Sequence, residues 1–372
     1  MKPIRFLCLA WALFGVGGGF GIRCSAATFV GPKTQNIILV TTDGLRWQEV
    51  FTGADPELMN KENGGIRDTN AIRQTFWCGT PEARRETLMP FFWSILAKEG
   101  QIFGNQQKGS IARVTNGKNF SYPGYNELLA GYADPRIDSN QKRPNPNVTV
   151  LEWLHQRPAF RDGIAVFGGW DLYPYILNSE RSGLLVKSGW EPVFQGKVNA
   201  RQDLLNKLMH DTTPIWDGVA LDSLVFHSAL EYLRERKPRV LYIAFGETDE
   251  WGHEGRYDLL LHSASHVDRY LRILWETIQS LPGYSNQTTL IVTTDHGRGD
   301  APQEWKSHGK DIKGSENIWM AFLGPDTPAL GERVATESVT QSQIAATLAA
   351  FLREDFHAAL PQSAPPIRDV LR

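Results

Sequence analysis

The stretch Asn36–Thr42, NIILVTT, followed by Asp43 and Gly44, decides the fold. Its apolar and β-branched residues follow one another without the polar alternation of a half-exposed strand. Such a run predicts a strand buried on both faces, which is typical of a parallel sheet covered by helices. Asp43 would then lie at the carboxyl end of that strand, and Gly44 would let the chain turn there.

Similar runs recur along the chain, and helical patterns lie between them. The further predicted strands are residues 164–167, 240–245, 289–294 and 318–323. The predicted helices are residues 90–99, 260–281 and 341–352, the last with Thr340 as N-cap. Together they predict an α/β fold with a mostly parallel central sheet and helices on both faces.

The N-terminus has the pattern of a cleaved export signal. Lys2 and Arg5 precede an apolar run over residues 6–20, and small residues follow at 25–27. We expect residues 1–27 to be a signal peptide, so the protein would be periplasmic or secreted, with no stable membrane anchor. Cleavage would leave Cys78 as the single cysteine and exclude an intrachain disulfide.

Residues 28–372 contain no repeat or linker-like tract and are predicted to form a single catalytic domain. The less regular stretch 171–230, in which Trp190 and Trp216 stand among turn residues, could be a cap-like insertion beside the site. Lys and Arg number 39 against 41 Asp and Glu, for a net charge of −2. This balance of charges indicates no basic surface for binding nucleic acid, so we expect a small-molecule partner. The oligomeric state is not predicted.

Acidic and imidazole side chains follow three of the predicted strands. Asp43 follows the first, Asp249 the strand at 240–245, and Asp295 and His296 the strand at 289–294. Ligands of open parallel sheets bind at the carboxyl ends of the strands, so these side chains should converge.

Two metal sites are predicted from these side chains. Asp249 and His253, four residues apart, could share one helical face and bind one metal, which His308 could complete. Asp295 and His296 suit a second, because Gly297 permits a sharp turn. Carboxylate and imidazole ligands without thiolate favour Zn²⁺, with Mn²⁺ or Fe as alternatives.

Ser121 lies where a helix is predicted to start. The free N–H groups of a helix N-terminus attract a phosphate, which would make Ser121 a candidate nucleophile. An ordinary Ser N-cap is the alternative.

The order of these motifs resembles the alkaline phosphatase superfamily, particularly its nucleotide pyrophosphatase/phosphodiesterase-like branch, from Asn36 to about Leu352. The resemblance implies a metal-dependent phosphoric ester hydrolase with two metal ions and a covalent phosphoserine intermediate on Ser121. One metal would be bound by Asp43, Ser121, Asp295 and His296. The other would be bound by Asp249, His253 and His308.

The motif around the nucleophile departs from that branch, which usually has Thr followed by Phe-Pro-Asn-His. Here Ser121 is followed by Tyr122-Pro123-Gly124-Tyr125, so both phosphomonoesters and phosphodiesters stay open as substrates. The family's Asn that contacts the phosphoryl oxygen has three candidates, namely Asn140, Asn145 and Asn147. Lys118 and Asn119 are the nearest candidate donors to the phosphate in sequence, with a solvated loop Lys as the alternative for Lys118, and Arg46, three residues after Asp43, is similarly ambiguous.

Three alternatives share parts of this pattern. A sulfatase would need an Arg after the Ser-x-Pro motif, and Tyr125 stands there. A phosphomutase would have similar ligands, but the export signal argues against it. A non-catalytic metal- or phosphate-binding protein would not need an intact Ser121. His262 and His266, also four apart, are interpreted as packing or surface residues of a long helix.

Overall fold

The computed structural model of the chain describes residues 33–372. Its strands are β1 (Asn36–Thr42), β2 (Gln101–Phe103), β3 (Ala112–Arg113), β4 (Ile164–Gly168), β5 (Leu185–Ser188), β6 (Val240–Phe245), β7 (Thr288–Thr294), β8 (Met320–Leu323), β9 (Gly331–Glu332) and β10 (Val339–Thr340).

Its α-helices are α1 (Trp47–Thr52), α2 (Lys61–Gly64), α3 (Thr69–Phe76), α4 (Pro81–Leu88), α5 (Ala97–Glu99), α6 (Ser121–Ala130), α7 (Val150–His155), α8 (Tyr173–Ile176), α9 (Ser179–Ser182), α10 (Ala200–Asp211), α11 (Asp222–Arg236), α12 (Glu247–His253), α13 (Tyr257–Ser280), α14 (Gln343–Phe351) and α15 (Phe356–Ala359). A π-helical turn covers Phe92–Leu96, and short 3-10 turns cover Gln106–Lys108 and Arg368–Val370.

Eight strands form one sheet in the order β5-β4-β6-β1-β7-β8-β2-β9, and β3 pairs with β10 separately. β1 runs parallel to both neighbours, with Leu39 opposite Tyr242 of β6 and Ile291 of β7. β8 runs antiparallel to β7 and to β2. The predicted mostly parallel α/β sheet is confirmed, and the direction of β8 is the exception.

The residues of β1 alternate between two hydrophobic cores, one on each face of the sheet. Ile38 and Val40 belong to a core that also contains the α13 residue Leu271. Ile37 and Leu39 belong to the other, which contains Leu128 of α6 and residues of α14. All four β1 side chains are completely buried, as the unbroken apolar run predicts.

Most predicted elements agree with the structure within a few residues, and the clearest error is at residue 340. Thr340 is not an N-cap: it lies in β10, where its backbone pairs with Arg113, and α14 begins after Ser342. Its hydroxyl lies 2.8 Å from the Ser342 hydroxyl, and its backbone N–H donates to the Gln343 Oε1 atom at 3.0 Å, so the Thr340 side chain does not cap the helix. The helical segment 90–99 is confirmed, but the π turn interrupts it.

The region 171–230 contributes to the sheet as well as to its surroundings. β5 forms one edge of the sheet, and Val219 forms an isolated bridge with Trp170. Its description as a cap stays a prediction. The predicted signal peptide lies outside the described residues. Among residues 33–372, no helix is both long and apolar enough to cross a membrane.

Asp268 of α13 is predicted to stabilise the helical segment 90–99 from outside. Its buried carboxylate accepts hydrogen bonds from the backbone N–H of Phe91 at 2.9 Å and of Phe92 at 2.8 Å. Asp268→Ala would leave both buried donors unpaired, so we expect the free energy of unfolding to fall by about 2–4 kcal/mol in urea denaturation.

Asp68→Ala is the matched control, because Asp68 is an exposed N-cap that accepts one bond, from Ala71 N–H. Its loss should cost only about 1 kcal/mol. Equal losses in the two variants would contradict the structural role assigned to Asp268.

Candidate functional site

The site forms where the central strands β6, β1 and β7 end side by side. The parallel register places Thr42, the last residue of β1, opposite Phe245 and Thr294. Asp43 follows β1 directly, Asp295 and His296 follow β7, and Asp249 lies on α12 just after β6. The convergence predicted from the strand ends is therefore present in the structure.

Two glycines allow the close approach of these segments. Gly44 has a φ of 59°, and a Cβ there would lie 2.5 Å from the Asp249 Oδ1 atom. A Cβ on Gly297 would lie 2.2 Å from the carbonyl oxygen of Asn317. Glycine is therefore required at 297 because a Cβ would have no room there, and not because the backbone is left-handed. The predicted reason, a sharp turn that only glycine permits, is corrected accordingly.

The first cluster consists of Asp43, Asp295 and His296, whose ligand atoms all lie within 4.8 Å of one another. The Nε2 atom of His296 is 3.3 Å from the Asp43 Oδ1 atom and 3.6 Å from the Asp295 Oδ2 atom. All three residues are buried. We call this set the inner trio.

The second cluster, the outer trio, consists of Asp249, His253 and His308. Asp249 and His253 lie one turn apart on α12, with 3.1 Å between Asp249 Oδ2 and His253 Nε2. The Nε2 atoms of His253 and His308 are 3.0 Å apart. The imidazoles of His296 and His308 stack at 4.0 Å between centroids, so the two trios adjoin.

One oxygen of each carboxylate accepts no hydrogen bond although it is buried: Asp43 Oδ1, Asp249 Oδ1 and Asp295 Oδ2. Burial and the charge of Asp249 raise the pKa of Asp43, and burial and the charge of Asp43 raise that of Asp295. Burial is the largest influence on Asp249 and opposes its ionisation, but Arg298, 3.0 Å from the Asp249 Oδ1 atom, and the neighbouring histidines together outweigh it and hold the pKa of Asp249 well below its usual range. The unpartnered oxygens of Asp43 and Asp295, together with the Asp249 oxygen that faces Arg298, form a buried carboxylate group that fits divalent cations.

His296 and His308 present lone pairs to the trios, whereas the Nε2 atom of His253 lies 3.1 Å from the Asp249 Oδ2 atom, and this hydrogen bond raises the pKa of His253. The Nδ1 atom of His296 lies 2.9 Å from the Gly297 carbonyl oxygen, and that of His308 lies 3.2 Å from the Asn119 carbonyl oxygen. A carbonyl only accepts, so Nδ1 carries the proton and Nε2 is left as a ligand atom. Burial lowers the pKa of His296 to about 4 and that of His308 to about 2, so both are neutral at pH 7.

Ser121 is the first residue of α6 rather than its N-cap. Phe120 occupies the cap position and makes no side-chain cap bond, so the helix begins at Ser121 itself and not after it. The Oγ atom of Ser121 lies 3.4 Å from the His296 Nε2 atom. The structure therefore brings Ser121 to the inner trio, with its hydroxyl uncommitted to capping.

A cleft of about 340 Å³ opens over both trios. It is lined by Asp43, Ser121, Asn140, Trp170, Val219, Gly246, Asp249, Glu250, His253 and His308. Lys118 and Asn119 do not line it, although the Asn119 carbonyl contacts His308. Arg46 is buried and paired with Glu49, away from the cleft.

The three candidate asparagines lie in different surroundings. Asn140 lines the cleft, and its Oδ1 accepts the Tyr122 N–H at 3.0 Å. Asn145 and Asn147 instead donate to the Asn126 Oδ1 atom within a buried network. Of the three, the structure brings only Asn140 to the site.

Sequence reasoning missed several residues of the site. Trp170 and Val219 come from loops at the β4 side of the sheet, and no local pattern indicates them. Glu250 lies next to Asp249 on α12; burial and the charge of Asp249 raise its pKa to about 7. Arg298, three residues after Asp295, could have been found from its position beside the strand end.

The chain is similar in sequence or in fold to several known proteins. The 2,3-bisphosphoglycerate-independent phosphoglycerate mutase of Haloarcula marismortui is 24% identical over 176 residues, which cover 47% of this chain and 31% of that protein. The chain thus spans less than a third of that curated relative's length.

Two solved structures share the fold. The lipoteichoic acid synthase LtaP from Listeria monocytogenes is 12% identical, with a TM-score of 0.55, over 87% of this chain and 73% of that one. A protein in the alkaline phosphatase superfamily from Vibrio parahaemolyticus is 13% identical, with a TM-score of 0.51, over 91% and 71%. At these identities the likeness shows the fold alone.

The profile of the family described as type I phosphodiesterase / nucleotide pyrophosphatase matches residues 92–347, which is more than half of the chain. The match includes Ser121, the α12 pair and the residues that follow β7. The predicted resemblance is confirmed: the chain belongs to the type I phosphodiesterase / nucleotide pyrophosphatase family.

Proposed function

We propose that this protein is a two-metal hydrolase of phosphate esters that uses Ser121 as its nucleophile and prefers phosphodiesters. The observation that carries the proposal is the position of the Ser121 hydroxyl, at the start of α6 and 3.4 Å from His296, beside two adjoining Asp/His trios. Membership of the phosphodiesterase family supports it.

The inner and outer trios would each hold one divalent cation, with Ser121 as a further ligand of the inner one. Neutral imidazole and carboxylate ligands favour Zn²⁺, with Mn²⁺ or Fe as alternatives. When bound, such cations supply Lewis acidity at the serine hydroxyl and at the leaving oxygen. The buried carboxylate oxygens without hydrogen-bond partners would then be satisfied.

The chain's own residues would carry out two displacements at phosphorus. Ser121 Oγ forms a bond to phosphorus while the bond from phosphorus to the leaving oxygen breaks, and the serine proton ends on the released alcohol. The resulting phosphoserine keeps the second organic group as an ester; water then attacks its phosphorus, and the bond from Oγ to phosphorus breaks. Ser121 regains a proton and a phosphomonoester leaves.

The cleft wall favours a diester over a monoester. A bound monoester dianion carries one more negative charge than a diester, and among the described residues that line the cleft there is no Lys or Arg to neutralise it. Trp170 and Val219 instead offer an apolar surface, and Glu250 adds a carboxyl group. An organic substituent on phosphorus fits this wall better than a second charged oxygen.

Ser121→Ala is expected to lower kcat/KM by about 10³-fold or more, because it removes the nucleophile. Hydrolysis of bis-nitrophenyl phosphate by the zinc-loaded protein measures this, and metal analysis should still find both cations. Ser228→Ala is the matched control, since Ser228 is a buried serine on α11 outside the cleft.

The same assay tests the substrate class with nitrophenyl phosphate and nitrophenyl sulfate. We expect bis-nitrophenyl phosphate to be hydrolysed with the highest kcat/KM. A preference for the monoester would overturn the diester assignment, and a preference for the sulfate would overturn the phosphate class. Unchanged activity in Ser121→Ala would exclude Ser121 as the nucleophile.

Asn140 is proposed to donate its Nδ2–H to a phosphoryl oxygen, because its Oδ1 atom is engaged with Tyr122. Asn140→Asp keeps the acceptor for Tyr122 but replaces the donor with a negative oxygen. We expect kcat/KM to fall by about 10²-fold or more with an unchanged melting temperature. A fall in stability without a fall in kcat/KM would assign Asn140 to structure alone.

Asp295→Asn is expected to raise the stability of the metal-free protein at pH 8 and to weaken cation binding. Burial raises the pKa of Asp295, so its contribution to folding is full below the ordinary pKa of 3.8 and is lost as pH rises above it. The metal-free variant should therefore melt higher than metal-free wild type at pH 8, with the difference vanishing near pH 4. Zinc binding should weaken; a variant that melts lower at pH 8 would contradict the charge argument.

A further inference from the structure

We propose that α6, which begins with the nucleophile, also positions both trios, through Tyr125 and Glu127. Tyr125 would orient Asp43 of the inner trio. Glu127 would fix the loop 115–119, which in turn orients His308 of the outer trio. The inference rests on the proposed function, because it assigns positioning residues to the two cation sites proposed there.

Tyr125 lies one turn after Ser121 on α6, so both side chains lie on the same side of the helix. Its buried hydroxyl donates to the Asp43 Oδ2 atom at 3.0 Å. That bond leaves the Asp43 Oδ1 atom, which accepts no hydrogen bond, 3.3 Å from the His296 Nε2 atom. Tyr125 therefore determines which oxygen of Asp43 is presented to the inner trio.

Glu127 is fully buried and faces the loop that precedes Ser121. Its carboxylate accepts hydrogen bonds from the backbone N–H and hydroxyl of Thr115 and from the backbone N–H and side-chain amide of Asn116, at 2.7–3.0 Å. Four donors on one carboxylate hold these two residues firmly. No cationic side chain takes part in these bonds.

Further hydrogen bonds within the loop connect Asn116 to His308. The Asn116 Oδ1 atom accepts the N–H groups of Lys118 at 2.8 Å and Asn119 at 2.9 Å. Asn119 is thereby held at a φ of 57°, and its carbonyl oxygen accepts from the Nδ1–H of His308. Glu127 thus acts on the outer trio through three successive hydrogen-bonded groups.

One helix therefore sets three positions: the nucleophile, the inner trio and the outer trio. All ten residues of α6 are buried, so the helix is packed on every side. Groups that orient metal ligands through hydrogen bonds commonly change metal affinity by about 10–100-fold when they are removed. We expect that range for each of the two residues, at separate cation sites.

The test is a zinc titration of the metal-free protein in competition with a chromophoric chelator. Wild type should bind two equivalents. Tyr125→Phe, which removes only a hydroxyl, should weaken one of them by about 10–100-fold, and Glu127→Gln should weaken the other. In a His308→Ala background, which disables the outer trio, the remaining equivalent should respond to Tyr125→Phe and not to Glu127→Gln.

Tyr122→Phe is the matched control. Tyr122 is a buried tyrosine of the same helix, but its hydroxyl donates to the backbone carbonyls of Arg143 and Tyr175 instead. Its loss should leave both zinc affinities unchanged. Should Glu127→Gln fail to fold, Asn116→Ala at a half-buried loop position removes the same link and should weaken the same equivalent.

Three results would overturn the inference. If wild type binds two equivalents and the Tyr125 and Glu127 variants bind them equally well, α6 has no positioning role, while the proposed function stands. The positioning role is also excluded if each variant weakens both equivalents alike. If wild type binds no zinc, manganese or iron, the proposed function fails and this inference fails with it.

Discussion

Three carboxylates, Asp43, Asp249 and Asp295, are buried together at the ends of three adjoining strands, and their mutual repulsion is the constraint on which the site depends. Arg298 is the cation closest to them in the described chain, and it lies beside Asp249. Two of the three have raised pKa values because burial and neighbouring charge oppose their ionisation. Divalent cations would relieve that repulsion, so cation binding at the proposed sites would be linked to stability.

The scaffold that tolerates this arrangement is the parallel centre of the sheet. β6, β1 and β7 are buried on both faces, and each presents its last residue at the same edge. The two hydrophobic cores on either side restrain the strands, so side chains placed just beyond their ends occupy fixed positions. The helices α6 and α12 then bring Ser121, Asp249 and His253 to the same edge.

The three carboxylates of the trios and His296 could be predicted from sequence because each comes soon after a strand with an unbroken apolar run, whereas His253 ends α12 and His308 lies in a loop. β1 and β6 have the predicted bounds, and the residues after them needed only the parallel register to converge. Ser121 could be predicted to lie near a helix start. That its hydroxyl does not cap the helix could not be predicted, because this depends on Phe120 occupying the cap position.

Other parts of the site could not be predicted in this way. The choice among Asn140, Asn145 and Asn147 depends on hydrogen-bond partners that are distant in sequence. Trp170 and Val219 reach the cleft through the path of two loops, which no periodicity encodes. Thr340 was wrongly predicted as a helix cap because the pairing of β10 with β3 is also non-local.

The bridge between Trp170 and Val219 has a consequence for how this family can diversify. The wall that it builds belongs to loops after β4, whereas the carboxylates of the trios lie just beyond the central strands. Under the proposed function, insertions or replacements in those loops would reshape the pocket for the organic substituent and leave the carboxylates in place. Substrate range and reaction chemistry would then depend on different parts of the sheet, so that each could change under selection without the other.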